Sequence, residues 1–562
     1  MLKDIDSGAI YGAEMYPGRP FTMEGWPVGL FISFNGLGYD LPIMSLALAG
    51  ADNVTLKRAT NDIIQHDMKP WDIRDKYGGV RQDINHIDIM PVAVGQVGLK
   101  AYGGRMHSKR LQDLPYDPEH LIAPEEREVV RTYCANDLDT TIDLFNSLEQ
   151  SLALRQRMSD KYGMDLRSKS NAQIAEAVIR SEVEKILGYK IQRTEFHPAY
   201  RFKYIVPAFV RFQTPGMQRF LEWVRKVEFG LDHNGHVVGP EELSLQIGAA
   251  VYTFGIGGLH STEKCVSYVG DLISPDVTSY YPAVIRNQGL YPPAMGEVFL
   301  TVYGGIVDTR IAAKQAGDKD TAEDLKVVVN ASFGKFGNRW STLYSPNLMI
   351  QVTLTGQLAI LMLIEQLECV GIAVVSANTD GLVVKLPPSR RAEYDAIVEE
   401  WSAATGCNLE ESKWRALYAK DVNNYIAITE DGKLKQKGLY AKTTLSKNPT
   451  NRICVEAAIA YLTGGVGVSE TIRACSDIRQ FLTVRQVKGG ASYQGNYLGK
   501  VVRWYYKLGA MEPLRYATNG NKVARSDGAQ PCMELPHSMP LDLDHQWYIN
   551  EANQILKNIG AI

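Results

Sequence analysis

The feature that most restricts this chain is a largely apolar run, Val266 to Ile273, that breaks into Ser274-Pro275-Asp276-Val277-Thr278-Ser279-Tyr280-Tyr281-Pro282. The run reads as a buried strand, and Pro282 keeps the chain from simply continuing as sheet. A carboxylate leaving such a strand is well placed to hold a divalent metal, with a hydroxyl and an aromatic ring within the same turn. The same residues suit a plain turn or a helix cap, so the local chemistry leaves both readings open.

Two later stretches bear on that choice. Gly305 to Gly317 predicts a short helix with Arg310 and Lys314 on one face. After a polar break, Gly317-Asp318-Lys319-Asp320, the segment Leu325 to Gly334 repeats Lys326, Asn330 and Gly334 at every fourth position. That stripe stacks a cation, an amide and a bare backbone patch, a surface suited to a triphosphate and a flat base pair, or to solvent. Gly371 to Ala377 and Leu382 to Leu386, joined by Asn378-Thr379-Asp380-Gly381, predict a β-hairpin. Beside the strand that delivers Asp276, this hairpin would bring two carboxylates together, which repel unless divalent cations lie between them.

With 562 residues the chain exceeds one hydrophobic core and should divide into about three or four domains. A net charge of -3 means that any polyanion site must be local. The seven cysteines contain no C-x-x-C pair, so neither a zinc site nor a disulfide framework is expected, and a reducing, cytoplasmic setting fits. Met1-Leu2-Lys3-Asp4 shows no secretory signal. The apolar segment Val352 to Val375 is broken by Gln357, Glu365, Gln366 and Glu368, which predicts a buried or amphipathic helix and then a strand, not a membrane span.

Nearer the start, Trp26 to Phe34 predicts a strand that runs into Asn35-Gly36-Leu37-Gly38-Tyr39-Asp40, with Asp40 opening a helix through Ala49. His86 to Met90 predicts another strand, whose Asp88 could face the same cleft. Glu125 to Leu148 has helical spacing and sets Tyr133 and Asp137 on one face. Further on, Phe254-Gly255-Ile256-Gly257-Gly258-Leu259-His260-Ser261 is a glycine-rich turn with accessible backbone N–H groups. From Arg485 to Arg525 eight cations, Arg503 among them, meet only Glu512, with Tyr493, Tyr497, Trp504, Tyr505 and Tyr506 interleaved. As a group these suit a surface that tracks phosphates and sugars.

The ordered set D-x-x-S-Y-Y-P, K-x-x-x-N-x-x-x-G and N-T-D-G resembles motifs A, B and C of family B DNA polymerases, most closely the compact enzymes of phages. Lys420-Asp421-Val422-Asn423-Asn424-Tyr425 is similar to the family's Lys/Tyr motif at the primer-template. Asn35 to Asp40 and Tyr133 to Asp137 resemble the second and third motifs of its proofreading exonuclease. The fold implied is α+β and multidomain, an RNase H-like exonuclease domain followed by a right-hand polymerase. The expected division is 1–155 for the exonuclease-like domain, lacking its first strand, 156–265 for a connecting region, 266–303 and 341–445 for the palm, 304–340 for short fingers and 446–562 for a thumb.

The resemblance implies extension of a primer 3'-OH with dNTPs on a DNA template by a monomer without a membrane partner. Asp276, Asp380 and the Val277 carbonyl would hold two Mg²⁺ ions, with Mn²⁺ a substitute. Arg310, Lys314, Lys326 and Asn330 would bind the nucleotide, and Tyr281 would exclude a 2'-OH. Gly257, Gly258, Lys420, Tyr425 and Arg503 would contact DNA. Asn35, Asp40, Tyr133 and Asp137 would form a vestigial or weak exonuclease site, because Asp4-Ile5-Asp6 is a poor match to the family's first carboxylate pair. Asn378 and Gly381 depart from the family's D-T-D-S. The alternatives are a non-catalytic DNA-binding relative and a primase-polymerase.

Overall fold

A computed structural model describes residues 1–16, 19–80, 83–509 and 512–562. Helices and sheets are mixed, and the chain divides into two compact units. One comprises Met1–Ser170, Thr443–Glu456 and Ser469–Asn550, and the other Asn171–Lys442, Ala457–Val468 and Glu551–Ile562.

In the first unit a short strand, β1 (Phe31–Ser33), feeds helix α1 (Asp40–Leu48) and pairs in parallel with β2 (His86–Asp88). The strand predicted from Trp26 to Phe34 is thus only three residues long. Helices α2 (Leu99–Met106) and α3 (Arg127–Ser147) cover β2, and Ile87, Ile89, Tyr102 and Leu144 form the core between them. Leu2–Lys3 pairs with Ile10–Tyr11, and between these strands Asp4 accepts the Ser7 N–H and hydroxyl, a turn role that uses its carboxylate locally.

The second unit opens with helix α4 (Asn171–Leu187) and a three-stranded antiparallel sheet, β3 (Leu243–Ile247), β4 (Ala250–Phe254) and β5 (His260–Ser261). Its main strand, β6 (Lys264–Val277), is 14 residues long and runs through Pro275, so Asp276 lies inside the strand and not beyond its end. Ser279 then takes a left-handed conformation (φ 49) that turns the chain into α5 (Tyr280–Asn287). Helices α6 (Val298–Ala316) and α7 (Lys319–Ser332) form an antiparallel hairpin. The polar break explains it: Gly317 (φ 76) ends α6 and the Asp318 carboxylate caps α7 through the Thr321 N–H, at 3.0 Å. The α6 helix starts seven residues before the predicted Gly305 because Val298 to Gly304 supplies its buried face, including Phe299, Val302 and Tyr303.

Helix α8 (Pro346–Cys369) has a mean hydropathy of 1.7 over its apolar window, and 83% of that window is buried within the fold. It leads to strands β7 (Val374–Asn378), β8 (Gly381–Lys385), β9 (Leu409–Asp421), β10 (Asn424–Thr429) and β11 (Leu434–Gln436). The six-stranded sheet has the order β7-β8-β6-β9-β10-β11 and every pairing is antiparallel. One face carries Leu272, Val383, Trp414, Leu417 and Ala427 as a continuous core.

The chain then returns to the first unit as β12 (Thr483–Tyr493) and β13 (Asn496–Tyr506), flanked by β14 (Arg515–Tyr516) and β15 (Ala529–Pro531). Residues 446–562 do not form a unit of their own. The backbone after α2 is tied to this sheet, with the Leu111 N–H donating to the Met533 carbonyl at 2.7 Å and the Leu535 N–H to the Lys109 carbonyl at 2.8 Å.

Candidate active site

Register places the two central aspartates. In the β6–β8 pairing Asp276 stands opposite Gly381, and the Val277 N–H donates to the Asp380 carbonyl at 2.7 Å. Asp276 and Asp380 therefore border one cleft of about 290 Å³, together with Asn378, Trp414, Tyr425, Lys435 and Lys437. An added Cβ at Gly381 would lie 2.0 Å from the Asp276 Oδ1, so this position tolerates only glycine while Asp276 keeps its rotamer.

The electrostatics of the cleft follow from that arrangement. The Lys435 ammonium lies 3.1 Å from the Asp276 Oδ2 and 5.2 Å from the centre of the Trp414 ring. Burial pushes the Tyr425 phenol up to about 12, and the charges of Asp276 and Asp380 add to the shift. Tyr425 thus sits in the field of both carboxylates. Asn378 turns into its own hairpin, its Oδ1 accepting the Thr379 N–H at 2.8 Å.

A donor set of two carboxylates and a carbonyl suits a hard cation whose remaining ligands are phosphate oxygens and water. Asp276 already holds a cation, the Lys435 ammonium, at contact distance. Among the described residues no three His, Cys, Asp or Glu side chains gather as a complete metal cage.

At the start of α5 the two tyrosines separate in role. Tyr280 is buried and donates to the Gly356 carbonyl at 2.6 Å, which fixes α5 on α8. Tyr281 is partly exposed and packs on Phe333, with ring centres 4.4 Å apart. Burial, with Asp380 second, pushes its phenol up to about 12. Arg310 donates to the Ser279 hydroxyl at 3.1 Å while its buried Nε has no hydrogen-bond partner. Lys314 pairs at 3.3 Å with Glu410, the residue opposite Asp276 on β9. Lys326 instead pairs with Glu323 one turn back, and Asn330 is exposed on the same helix.

The glycine-rich turn belongs to this neighbourhood. A Cβ at Gly258 would meet the Thr379 Oγ1 at 2.1 Å, so the turn lies directly against the loop that carries Asp380. The buried Gln357 of α8 donates to the carbonyls of Gly255 and Gly257, both at 2.7 Å. At Gly257 an added Cβ would meet nothing within 4 Å, leaving its backbone open. Lys420 is exposed at the end of β9, beside an Asp421–Asn424 turn.

The chain is similar to archaeal DNA polymerases. It is 22% identical over 477 residues to DNA polymerase 1 of Saccharolobus solfataricus, a match covering 72% of this chain and 53% of that protein. Over 146 residues, 24% of this chain, it is 30% identical to DNA polymerase 1 of Aeropyrum pernix, covering 15% of the latter. The chain thus spans about half the length of the first of these relatives. Among solved structures, that of the family B DNA polymerase from Pyrobaculum calidifontis matches 95% of this chain and 70% of its own, with 15% identity and a TM-score of 0.40. No family model matches the chain. These relatives are archaeal, and the closer likeness to phage enzymes expected above finds no support in them.

Sequence reading missed Lys435, Lys437 and Gln357. The signal for the lysines was the alternation in Lys433-Leu434-Lys435-Gln436-Lys437, which sets lysines on one face of a strand. Gln357 looked like a polar interruption in an apolar helix and carried no such signal.

In the first unit Asp40 and Asp137 line one open cavity of about 540 Å³. Asp40 is crowded by protein although its residue remains solvent-exposed, and its carboxyl is raised, first by desolvation and then by the Asp88 charge. Asp137 forms an ion pair with Lys100, whose ammonium also lies 4.2 Å from the centre of the Tyr133 ring. The face shared by Tyr133 and Asp137 is therefore closed by a cation from α2. Asn35 (φ 64) is held by its N–H donating to the Asp88 Oδ1 at 2.9 Å. Asp88 itself is buried and also accepts the Leu37 and Met90 N–H groups, so it organises the turn and does not face the cavity.

Arg503 requires a correction. It is fully buried and donates to the carbonyls of Cys532 and Ser108, at 2.7 and 2.9 Å, and of Lys109 and Met533. It fastens β13 to the segment after α2 and is not available to DNA. Trp504, Tyr505 and Tyr506 are buried as well, whereas Lys488, Lys500, Arg515, Lys522 and Arg525 are exposed.

Proposed function

We propose that the chain is a template-directed DNA polymerase of the family B type, extending a primer 3'-OH with dNTPs. The observation that carries this reading is the convergence of Asp276 and Asp380 on one cleft through the β6–β8 pairing. Asp276, Asp380 and the Val277 carbonyl would hold Mg²⁺, or Mn²⁺ in its place. When bound, the ions supply Lewis acidity to the attacking and leaving oxygens of an in-line displacement. Lys435 neutralises Asp276 in the cleft, and Arg310, with an unpartnered Nε beside Ser279, receives the anionic triphosphate. Tyr281, braced by Phe333, lies under the sugar and rejects a 2'-OH.

The N-terminal region is an exonuclease-like domain of weak or vestigial activity, supported by the Lys100–Asp137 ion pair. Asp40 and Asp137 line the cavity of about 540 Å³ there, and Asn35 and Tyr133 complete the exonuclease-like set. Gly257, Gly258, Lys420 and Tyr425 contact the primer-template. The finer likeness to compact phage enzymes rests on the ordered motifs around Asp276, Lys326 and Asp380, and the short interval between Asp276 and Lys326, which holds α5, α6 and the first part of α7, supports small fingers. The working form is a cytoplasmic monomer.

Single-nucleotide incorporation on four templates, each presenting a different base, tests the reading. Wild type is expected to add the complementary dNTP in each case and to disfavour the matching rNTP. Tyr281→Ala should narrow the dNTP preference. An unchanged preference would remove the sugar-reading role from Tyr281, and incorporation that ignores the template would contradict the polymerase reading.

A further inference from the structure

The second unit carries a cation-rich aromatic surface that the cleft does not use. From Lys190 to Lys226 the sequence has eight Lys and Arg against two Glu, in a chain whose net charge is -3. Beside this segment, Trp340 is 66% exposed, an unusual state for so large an aromatic side chain. The guanidinium carbons of Arg193 and Arg339 each lie 4.8 Å from its ring centre. An open pocket of about 200 Å³ adjoins them, lined in part by Phe196, His233 and Tyr344.

Trp340 is presented by a firmly built loop. The residues after it, Ser341 to Ser345, are buried, and the Thr342 N–H donates to the Glu176 Oε1 at 2.8 Å. The other end is anchored by the Lys335–Glu176 ion pair at 3.0 Å, both side chains largely buried. Only the tip, Asn338 to Trp340, is exposed. The acids nearby are already engaged: Glu195 pairs with Arg193 at 3.3 Å, and Asp232 accepts the N–H groups of Asn234 and His236, both at 2.8 Å. Trp340 lies seven positions after Phe333, which packs on Tyr281, so an extended chain limits the distance between them to about 25 Å.

An exposed indole with two guanidiniums beside its ring has the chemistry of a stacking platform for nucleobases, with guanidiniums to meet the flanking phosphates. We propose that Trp340, Arg193 and Arg339 bind the single-stranded 5' overhang of the template, an inference that rests on the polymerase reading. Stacking on Trp340 is independent of base identity, because each base offers a π-face, and the arginines add a salt-dependent contribution.

The test is fluorescence anisotropy with the full chain on primer-templates bearing a minimal overhang, an overhang of about eight nucleotides, or an abasic overhang of the same length. Wild type should prefer the natural long overhang to both others. Trp340→Ala should weaken binding of the long overhang about five-fold or more and leave the minimal one unchanged, while Trp340→Phe keeps most of the affinity. The pair Arg193→Ala and Arg339→Ala should weaken binding and flatten its salt dependence. Equal wild-type affinity for natural and abasic overhangs, or wild-type affinity in Trp340→Ala, would overturn the proposal. If the wild type extends primers normally in that event, the polymerase reading survives. A wild type that binds no primer-template would overturn both.

Discussion

Gly381 shows how closely single residues control the cleft. Its missing side chain leaves room for the Asp276 Oδ1, which an added Cβ would approach to 2.0 Å. Gly381→Ala is expected to displace the Asp276 carboxylate and slow single-nucleotide incorporation by between about ten- and 100-fold. The melting temperature should fall as well, since rotating the Asp276 side chain relieves the main clash but leaves the added Cβ 3.2 Å from the Pro275 carbonyl oxygen. Quench-flow and thermal melts check the two expectations together. His107 offers a second residue-scale test. Burial first, then the charges of Arg503 and Arg479, lowers its imidazole to about 4. The unfolded chain therefore binds the proton more readily, and stability is lost as pH falls from about 6.5 towards 4, by up to about 3 kcal/mol. His107→Gln should flatten that part of the profile in urea titrations. The departure from D-T-D-S was visible in the sequence, but its meaning was not: only the strand register shows that Gly381 faces Asp276 and that Asn378 serves its own turn.

At the scale of elements, the parts legible in the sequence are those with strong local chemistry. The Asn378-Thr379-Asp380-Gly381 turn, the Gly317-Asp318 break and the helix carrying Tyr133 and Asp137 all formed where turn, cap and periodicity placed them. The parts that misled were set by tertiary pairing. The strand read from Val266 looked finished at Ile273, yet β6 continues through Pro275 because β9 pairs with it as far as Val277. Arg503 looked like part of a basic face, yet the carbonyls after α2 take up its guanidinium. Gln357 is the clearest element-scale test. It is 2% exposed and ties α8 to the glycine-rich turn through both side-chain atoms. Gln357→Leu would leave the Gly255 and Gly257 carbonyls and the Gly255 N–H without their partner, a cost of about 1–3 kcal/mol for each group that water cannot reach. Urea denaturation should show the loss, and primer-template affinity should fall as the turn beside Asp380 loosens.

For the whole molecule, length led to an expectation of about three or four domains, whereas the described chain divides into two compact units, and its path through them was not readable. The C-terminal strands return to the first unit because backbone pairing after α2 and the buried Arg503 bind them there, interactions between residues roughly 400 positions apart. No local pattern encodes such a pairing. The cleft, in contrast, lies within one unit, lined by residues from β6, the β7–β8 hairpin, and β9 through β11, and the ordered motifs pointed to Asp276 and Asp380 as its candidate pair. The most direct measurement is extension of a primer-template in Mg²⁺ by the wild type and by Asp380→Ala, with equal DNA binding confirmed for both. The wild type should extend the primer and Asp380→Ala should fall to background while binding DNA normally. A wild type that binds but never extends, or an Asp380→Ala variant that extends at the wild-type rate, would contradict the assignment.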